Sequence, residues 1–376
     1  MARLRPILLP LAIATLAIVV YNTRVRREMA DFTTWRQAAV RGLHAEPLYR
    51  VEDGHYQFKY FPAFALMMAP FGALHLDTGK MVWFAVSFGL LAALVRWSVT
   101  ALPERRMSDR TLLWIAVLLM AKFYAHELLL GNTNLLLGTL LIAGLLAIQI
   151  DRRVLAGGLI GLAVFVKPYA LVMLPWLAVT QGAAAGAMAA GVVLLGLVLP
   201  SLVYGWAGNL DMLKAWSRTV GDSTAPNLLG NDNISLAAMW AKWLGPGQPA
   251  TVLAIATGAA ALALVVLVWR RRRDVEMPEY LEFALLMLLV PLLSPQGWDY
   301  VLLLATPAVV CVVDRWRELA PPWKWGLGAA LVLMCLTMFD VMGRDLYGRF
   351  MSLSLVTVAA LGVAVGLAHL RWRKLA

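Results

Sequence analysis

Long apolar runs recur along almost the whole of this chain, and that recurrence decides what it can fold into. A helix needs about 20 mostly apolar residues to cross a bilayer, and the sequence offers about eleven or twelve such runs, several of them short. The runs are continuous rather than alternating, which excludes an outer-membrane barrel. Hydrophobic residues make up 61% of the 376, against about 45–50% in soluble domains. The expected class is therefore all-α: a polytopic transmembrane helical bundle with about 10–12 membrane helices.

Charge follows the same pattern. The net charge is +11, and its basic residues cluster beside the apolar runs, as the positive-inside rule requires. Membrane lipids are thus the expected surroundings, and nucleic acid is not an expected partner. Arg105/Arg106/Arg110, Arg152/Arg153, Arg270 to Arg273, Arg315/Arg317/Lys324 and Arg371/Arg373/Lys374 mark cytoplasmic ends in an inner (cytoplasmic) membrane. Segments 24–60, 204–249 and 294–299 then lie on the extracytoplasmic face. Arg3 and Arg5 precede the first run, and Arg24, Arg26 and Arg27 follow it without a small-residue cleavage pattern, so it reads as a retained anchor. Cys311 and Cys335 lie in apolar runs and suggest neither a disulfide framework nor a metal site.

The chain reads as one integral membrane domain, 1–376. A first span (1–23) leads to a first outer loop (24–60), core spans (61–203), a second outer loop (204–249) and C-terminal spans (250–376). Strict alternation fails in the first half. With 105–110 and 151–153 both cytoplasmic, one run near 61–101 cannot span, and 154–180 must dip in and return at Lys167-Pro168. No inverted repeat of the transporter kind is visible.

The first polar interval, Asp31 to Pro62, is where a membrane enzyme would work at the bilayer surface. Phe32, Trp35, Ala39 and Leu43 recur at helical spacing with Arg36, Gln37 and Arg41 between them. That pattern predicts an amphipathic helix on the membrane surface, ended by Gly42 and Pro47. Asp31 carries two readings of equal weight: a general base for an attacking hydroxyl, or an N-cap contributing about 1 kcal/mol. Lys59 and Tyr60 sit where loop meets membrane. The lysine suits a phosphate and equally a snorkelling helix end.

Lys167 lies deep inside an apolar run, directly before Pro168. A charge at that depth is costly and points to function, here a phosphate anchor. His126 and Glu127 are also flanked by apolar residues and either pair with Lys167 or face a polar cavity. Asn132 and Asn134, like Asn231 and Asn233, are amide pairs at turns. Amides suit sugar hydroxyls, and they also serve turns conformationally. Gln296, Trp298 and Asp299 form a short break that suits a sugar or a plain interfacial turn. No metal-ligand spacing, P-loop or nucleophile elbow is present.

In this order the motifs resemble glycosyltransferase family 87, integral membrane enzymes of the GT-C type. The matching stretches are Asp31-Phe32, Pro47-Leu48-Tyr49, Lys59-Tyr60-Phe61-Pro62, Gly131-Asn132-Thr133-Asn134 opening a Leu-rich run, Lys167-Pro168, Asn233-Ile234-Ser235, and Ser294-Pro295 followed by Trp298. Three departures stand out. The family commonly has Tyr-Pro-Pro where Tyr60-Phe61-Pro62 stands, Gln where Asn132 stands, and histidines where Asp299-Tyr300 stands. The last puts in doubt any histidine-dependent role there and suggests a different sugar or acceptor.

The resemblance implies a hexosyltransferase that takes a sugar, mannose by analogy with the family, from a polyprenyl-phosphate sugar to a lipid or glycan acceptor at the extracytoplasmic face. Asp31 would act as base in an inverting displacement. Lys59 and Lys167 would hold the departing phosphate, with Tyr60, Asn132, Asn134, Asn231, Asn233, Gln296, Trp298 and Asp299 around the donor. No cofactor or metal is expected. Other hexoses and arabinofuranose stay open. The alternatives are a transporter or lipid flippase, for which a polar path through the midplane would speak, and a non-catalytic assembly subunit.

Overall fold

The computed structural model describes residues 5–375, so Arg3 lies outside the described residues. These residues form an all-α polytopic helical bundle with no strand among them. Arg5–Thr23 (α1) is the first apolar run. The polar interval after it folds as Ala30–Leu43 (α2), whose stripe behaves as its spacing predicts: Phe32, Trp35 and Ala39 are fully buried, while Leu43 at the end is half exposed. That stripe packs on protein as well as facing the surface. Trp35 meets Phe64, Phe71 and Trp83 edge-to-face.

The expected N-cap role of Asp31 is not realised. Met29, in the left-handed conformation, occupies that position, and Asp31 lies in the first helical turn with no capping bond. A carboxylate there still favours the helix dipole, but its hydrogen bond goes elsewhere.

The run near 61–75 folds as two short pieces, Pro62–Met67 (α3) and Ala69–Ala73 (α4), each with proline in its first turn. Neither is long enough to cross a membrane. Leu76–Thr100 (α5) and Asp109–Leu130 (α6) are full-length helices, and Asn134–Gln149 (α7) starts directly after the turn that ends α6. Arg153–Val166 (α8) stops at Lys167, which is extended (φ −150°, ψ 126°). The pyrrolidine of Pro168 pushes its predecessor out of helical space. A short 3-10 turn then leads into Met173–Gln181 (α9).

Ala183–Val198 (α10) lies against α8 through small residues. A Cβ on Gly157 would run into the Ala185 carbonyl oxygen, the close backbone approach typical of membrane helix pairs. Ser201–Asn227 (α11) turns away from α10 by 87°, and Leu236–Leu244 (α12) follows. The interval 204–249, expected as a loop, is therefore largely helical. Polar helices carry no long apolar run to reveal them.

The remaining helices are Gln248–Arg270 (α13), Glu279–Leu293 (α14), Thr306–Asp314 (α15), Pro321–Leu331 (α16), Phe339–Met342 (α17), Arg344–Ser352 (α18) and Leu355–Trp372 (α19). α14 is buried on every side along Tyr280 to Leu292 and forms the centre of the bundle. Among the described residues, α5, α6, α13 and α19 are long and apolar enough to cross a membrane, and the bent α10–α11 pair adds a fifth. Other apolar runs are cut into shorter helices, at Pro70, at Lys167-Pro168 and around Pro295-Gly297.

Two buried carboxylates tie helix ends that carry the basic clusters. Glu282 sits 3.3 Å from Arg371 and accepts the Trp176 indole N–H at 2.8 Å. Asp314 accepts the backbone N–H groups of Arg106 and Met107 at 2.8 and 2.9 Å.

Candidate active site

The site is built on the turn between α6 and α7. Gly131 ends α6 at φ +65°, and its carbonyl accepts the indole N–H groups of Trp35 (3.2 Å) and Trp83 (3.0 Å). The Met29 N–H donates to the Leu129 carbonyl at 2.9 Å. The start of α2 is thereby pressed onto the turn, so closely that a Cβ on Gly131 would lie 2.8 Å from Phe32 Cβ. Gly131→Ala is therefore expected to destabilise the fold by about 2–4 kcal/mol, from left-handed strain plus overpacking. Thermal unfolding in detergent checks this; an unchanged midpoint would contradict the docking described.

This contact carries Asp31 to Asn132. The Asn132 amide donates to Asp31 Oδ2 (2.5 Å) and to the Tyr300 hydroxyl (3.3 Å). Its own oxygen accepts the Thr133 N–H at 2.6 Å and the Asn134 amide at 3.1 Å. Glu127 fixes the next layer. Its carboxylate accepts the backbone N–H groups of Asn134 (2.6 Å) and Leu135 (3.1 Å) and the Asn134 side chain (2.8 Å). That is an anion at a helix N-terminus. Glu127 thus caps α7 rather than pairing with Lys167. Asn134 is wholly buried and acts within the turn.

Lys59, Tyr60 and Lys167 converge from two distant segments. With Tyr169, Gln296 and Trp298 they line a cavity of about 130 Å³ that no carboxylate enters. The helix break at Pro168 frees Lys167 to reach it. The Lys167 ammonium stands 4.5 Å from the centre of the Tyr60 ring and 6.0 Å from that of Tyr169, so two aromatic faces supply part of the solvation the charge has lost. Burial pushes the Lys59 ammonium below its ordinary value, as does the nearby Lys167 charge, while Asp31 pulls it back. Asp31, Lys59 and Lys167 therefore share one electrostatic neighbourhood.

The other sequence candidates divide. Gln296 and Trp298 line the lysine cavity, and the Gln296 amide is held by Ser223 and Thr224 at 3.0 Å each. Asn233 does not face it. Its amide donates to the carbonyls of Asn227 (3.1 Å) and Pro295 (3.0 Å), and its oxygen accepts the Ser235 N–H. Its role is to splice two loops. Asn231 is exposed and lines no cavity described; its carbonyl accepts from Lys242. Asp299 lies instead in a larger groove, 3.5 Å from His126 Nδ1. Among the described residues no three His, Cys, Asp or Glu side chains gather to hold a metal ion.

One participant escaped the sequence analysis, Tyr169, although it neighbours Pro168 and adjacency to a helix break was the available signal; Tyr300 was read only as part of an interfacial turn and a departure from the family, without a role at Asn132.

The profile of glycosyltransferase family 87 matches residues 58–295. A stretch of 159 residues is 29% identical to the alpha-(1->3)-arabinofuranosyltransferase of Corynebacterium glutamicum, covering 38% of this chain and 35% of that protein. The match thus spans about a third of the curated relative. No solved structure matches.

Proposed function

The chain belongs to glycosyltransferase family 87, whose profile covers more than half of it, and from that premise we propose that it is a membrane glycosyltransferase using a polyprenyl-phosphate sugar. Transfer takes place at the extracytoplasmic face, to a hydroxyl of a lipid or glycan. The observation that carries this reading is the convergence of one carboxylate, Asp31, with two cations, Lys59 and Lys167, beside a small cavity walled largely by aromatic and proline side chains.

The chemistry needs one base and fixed positive charge. The acceptor oxygen attacks the anomeric carbon as its proton passes to Asp31. The bond between that carbon and the phosphate oxygen breaks, and the electron pair leaves with the polyprenyl phosphate, whose charge the two lysines hold. Displacement from the face opposite the phosphate inverts the anomeric centre. Asn132 fixes Asp31 Oδ2, and no described group donates to Oδ1, which keeps that oxygen for the proton.

Mannose is the sugar the family analogy favours. The similarity to an arabinofuranosyltransferase favours a pentofuranose, and two donors decide between them. Purified protein is given radiolabelled polyprenyl-phosphate mannose or polyprenyl-phosphate arabinofuranose with a membrane lipid and glycan extract. Label moving to acceptor, with polyprenyl phosphate released, is the expected result for one of them. No turnover with any polyprenyl-phosphate sugar would shift the reading to a transporter or flippase.

Lys59 also predicts a pH dependence. Its charged form holds phosphate, so activity falls as pH rises through its lowered pKa. The alkaline limb of kcat/KM should lie below the ordinary lysine range and move upward in Lys59→Arg, whose guanidinium stays charged. A limb that does not move would assign it to another group.

A further inference from the structure

Lys242 is half-buried in the last turn of α12. Its ammonium donates to three backbone carbonyls from two distant segments. Those of Asn231 (3.0 Å) and Asn233 (2.8 Å) belong to the turn before α12, and that of Met351 (3.4 Å) to the end of α18. Asp232 attracts the same ammonium from farther off. The next residue, Trp243, donates its indole N–H to the Leu353 carbonyl at 3.2 Å. Met351 and Leu353 lie where α18 ends and a helix leaves its last carbonyls short of partners. A cation there also meets the negative end of the helix dipole. Two successive side chains of α12 thus grip one helix end.

Both gripped segments form cavity walls. Residues 231–234 pair in antiparallel fashion with 297–299. Asn233 stands opposite Trp298, the Ile234 N–H donates to the Gly297 carbonyl at 2.7 Å, and the Asp299 N–H donates to the Asp232 carbonyl at 2.9 Å. That pairing sets Trp298 into the lysine cavity and Asp299 into the larger groove. α18 brings Tyr347 to the same groove, with its hydroxyl toward Asp299. Little else holds α18. Of its side chains only Phe350 and Met351 are buried, and Val341 and Leu346 of this segment are exposed. The backbone breaks at both of its ends, at Gly343 (φ +75°) and at Ser354 (φ +54°). A left-handed serine persists only where its surroundings hold it, and the Trp243 bond falls on the residue before it.

We infer that Lys242 is a positioning residue for transfer: by joining α18 to the paired segments 231–234 and 297–299, it keeps the Trp298 wall of the lysine cavity and the Asp299–Tyr347 wall of the larger groove in one arrangement. Lys242 itself lines neither cavity. The inference rests on the transferase reading and deepens it, since a residue away from the reacting atoms sets the shape of the site.

The full chain in lipid nanodiscs is compared as wild type, Lys242→Met and Lys242→Arg, by amide hydrogen exchange at one pH and by affinity for undecaprenyl phosphate. In Lys242→Met, exchange should rise about tenfold in α18 and in the peptides that carry Ile234 and Asp299, and undecaprenyl phosphate should bind about tenfold more weakly, the effect of one charge-assisted tie. The central helix α14 should exchange as in wild type. Lys242→Arg keeps the charge and several donors and should restore part of each loss. Loosening confined to α18, or loosening without loss of undecaprenyl phosphate affinity, would make Lys242 a helix cap and overturn the inference, as would wild-type behaviour throughout. Should Lys242→Met raise exchange in α14 as well, the fold is lost, and Lys242→Gln, which keeps an amide donor, carries the same comparison. Failure of undecaprenyl phosphate to bind the wild type would count against the transferase reading alone, because exchange at Ile234 and Asp299 still decides whether Lys242 ties the two walls.

Discussion

Asp31→Asn lowers kcat by about 10³- to 10⁴-fold, the upper range for a positioned general base, while the donor KM stays within about twofold. The substitution is isosteric, and an asparagine oxygen still accepts the hydrogen bond that Asn132 donates to Oδ2. The side chain therefore stays in place and loses only the capacity to take a proton. Lengthening rather than neutralising gives a second loss: Asp31→Glu displaces the carboxylate by about one bond length, and misplacement on that scale costs about 10²-fold. Stability is nearly indifferent to both. Asp31 makes no capping bond, and its favourable position in the first turn of α2 is worth about 0.3–1 kcal/mol, to which Asp31→Asn adds the lost attraction to Lys59 and Lys167. Single-turnover transfer measured beside thermal unfolding tests this. Transfer by Asp31→Asn within tenfold of wild type would return the residue to helix stabilisation.

How far the site could be read from the sequence depends on what each residue breaks. Asp31 and Lys167 were legible because a charge beside or inside an apolar run violates the local pattern. Pro168 announced the helix break that releases Lys167, and the helically spaced apolar stripe of α2 announced its buried face. Met29 gave no warning of its left-handed conformation, since that geometry comes from the packing of α2 against Gly131 rather than from local propensity. The two amide pairs look alike as sequence, yet Asn132 holds the catalytic candidate while Asn233 is consumed by loop carbonyls. Only tertiary contacts separate them. The same is true of His126 and Asp299, which are far apart in the chain and meet because α6 and the segment after Pro295 border one groove. The right angle between α10 and α11 was hidden for another reason: a polar helix leaves too weak a hydropathic signature to distinguish it from a loop.

Lys167→Met separates function from fold most sharply, because activity falls while stability holds. Lys167 forms no ion pair with any described carboxylate; its ammonium rests against the rings of Tyr60 and Tyr169. Asp31 and the two rings offset the cost of its burial from outside ion-pair distance, and methionine, similar in length and apolar, removes that cost and those attractions together, so stability to heat changes little. Activity falls. A fixed cation facing the departing phosphate is worth about 10²- to 10³-fold in kcat/KM, and part of that loss appears as a raised donor KM because the same phosphate is bound before reaction. Inhibition by polyprenyl phosphate weakens alongside, by about tenfold or more. Lys167→Arg restores part of both, since the charge remains but the wider guanidinium does not fit the same point between two rings. If Lys167→Met lost stability and activity together while its affinity for polyprenyl phosphate held, the lysine would be a structural plug at the helix break, and the positive charge for the leaving group would fall to Lys59 alone.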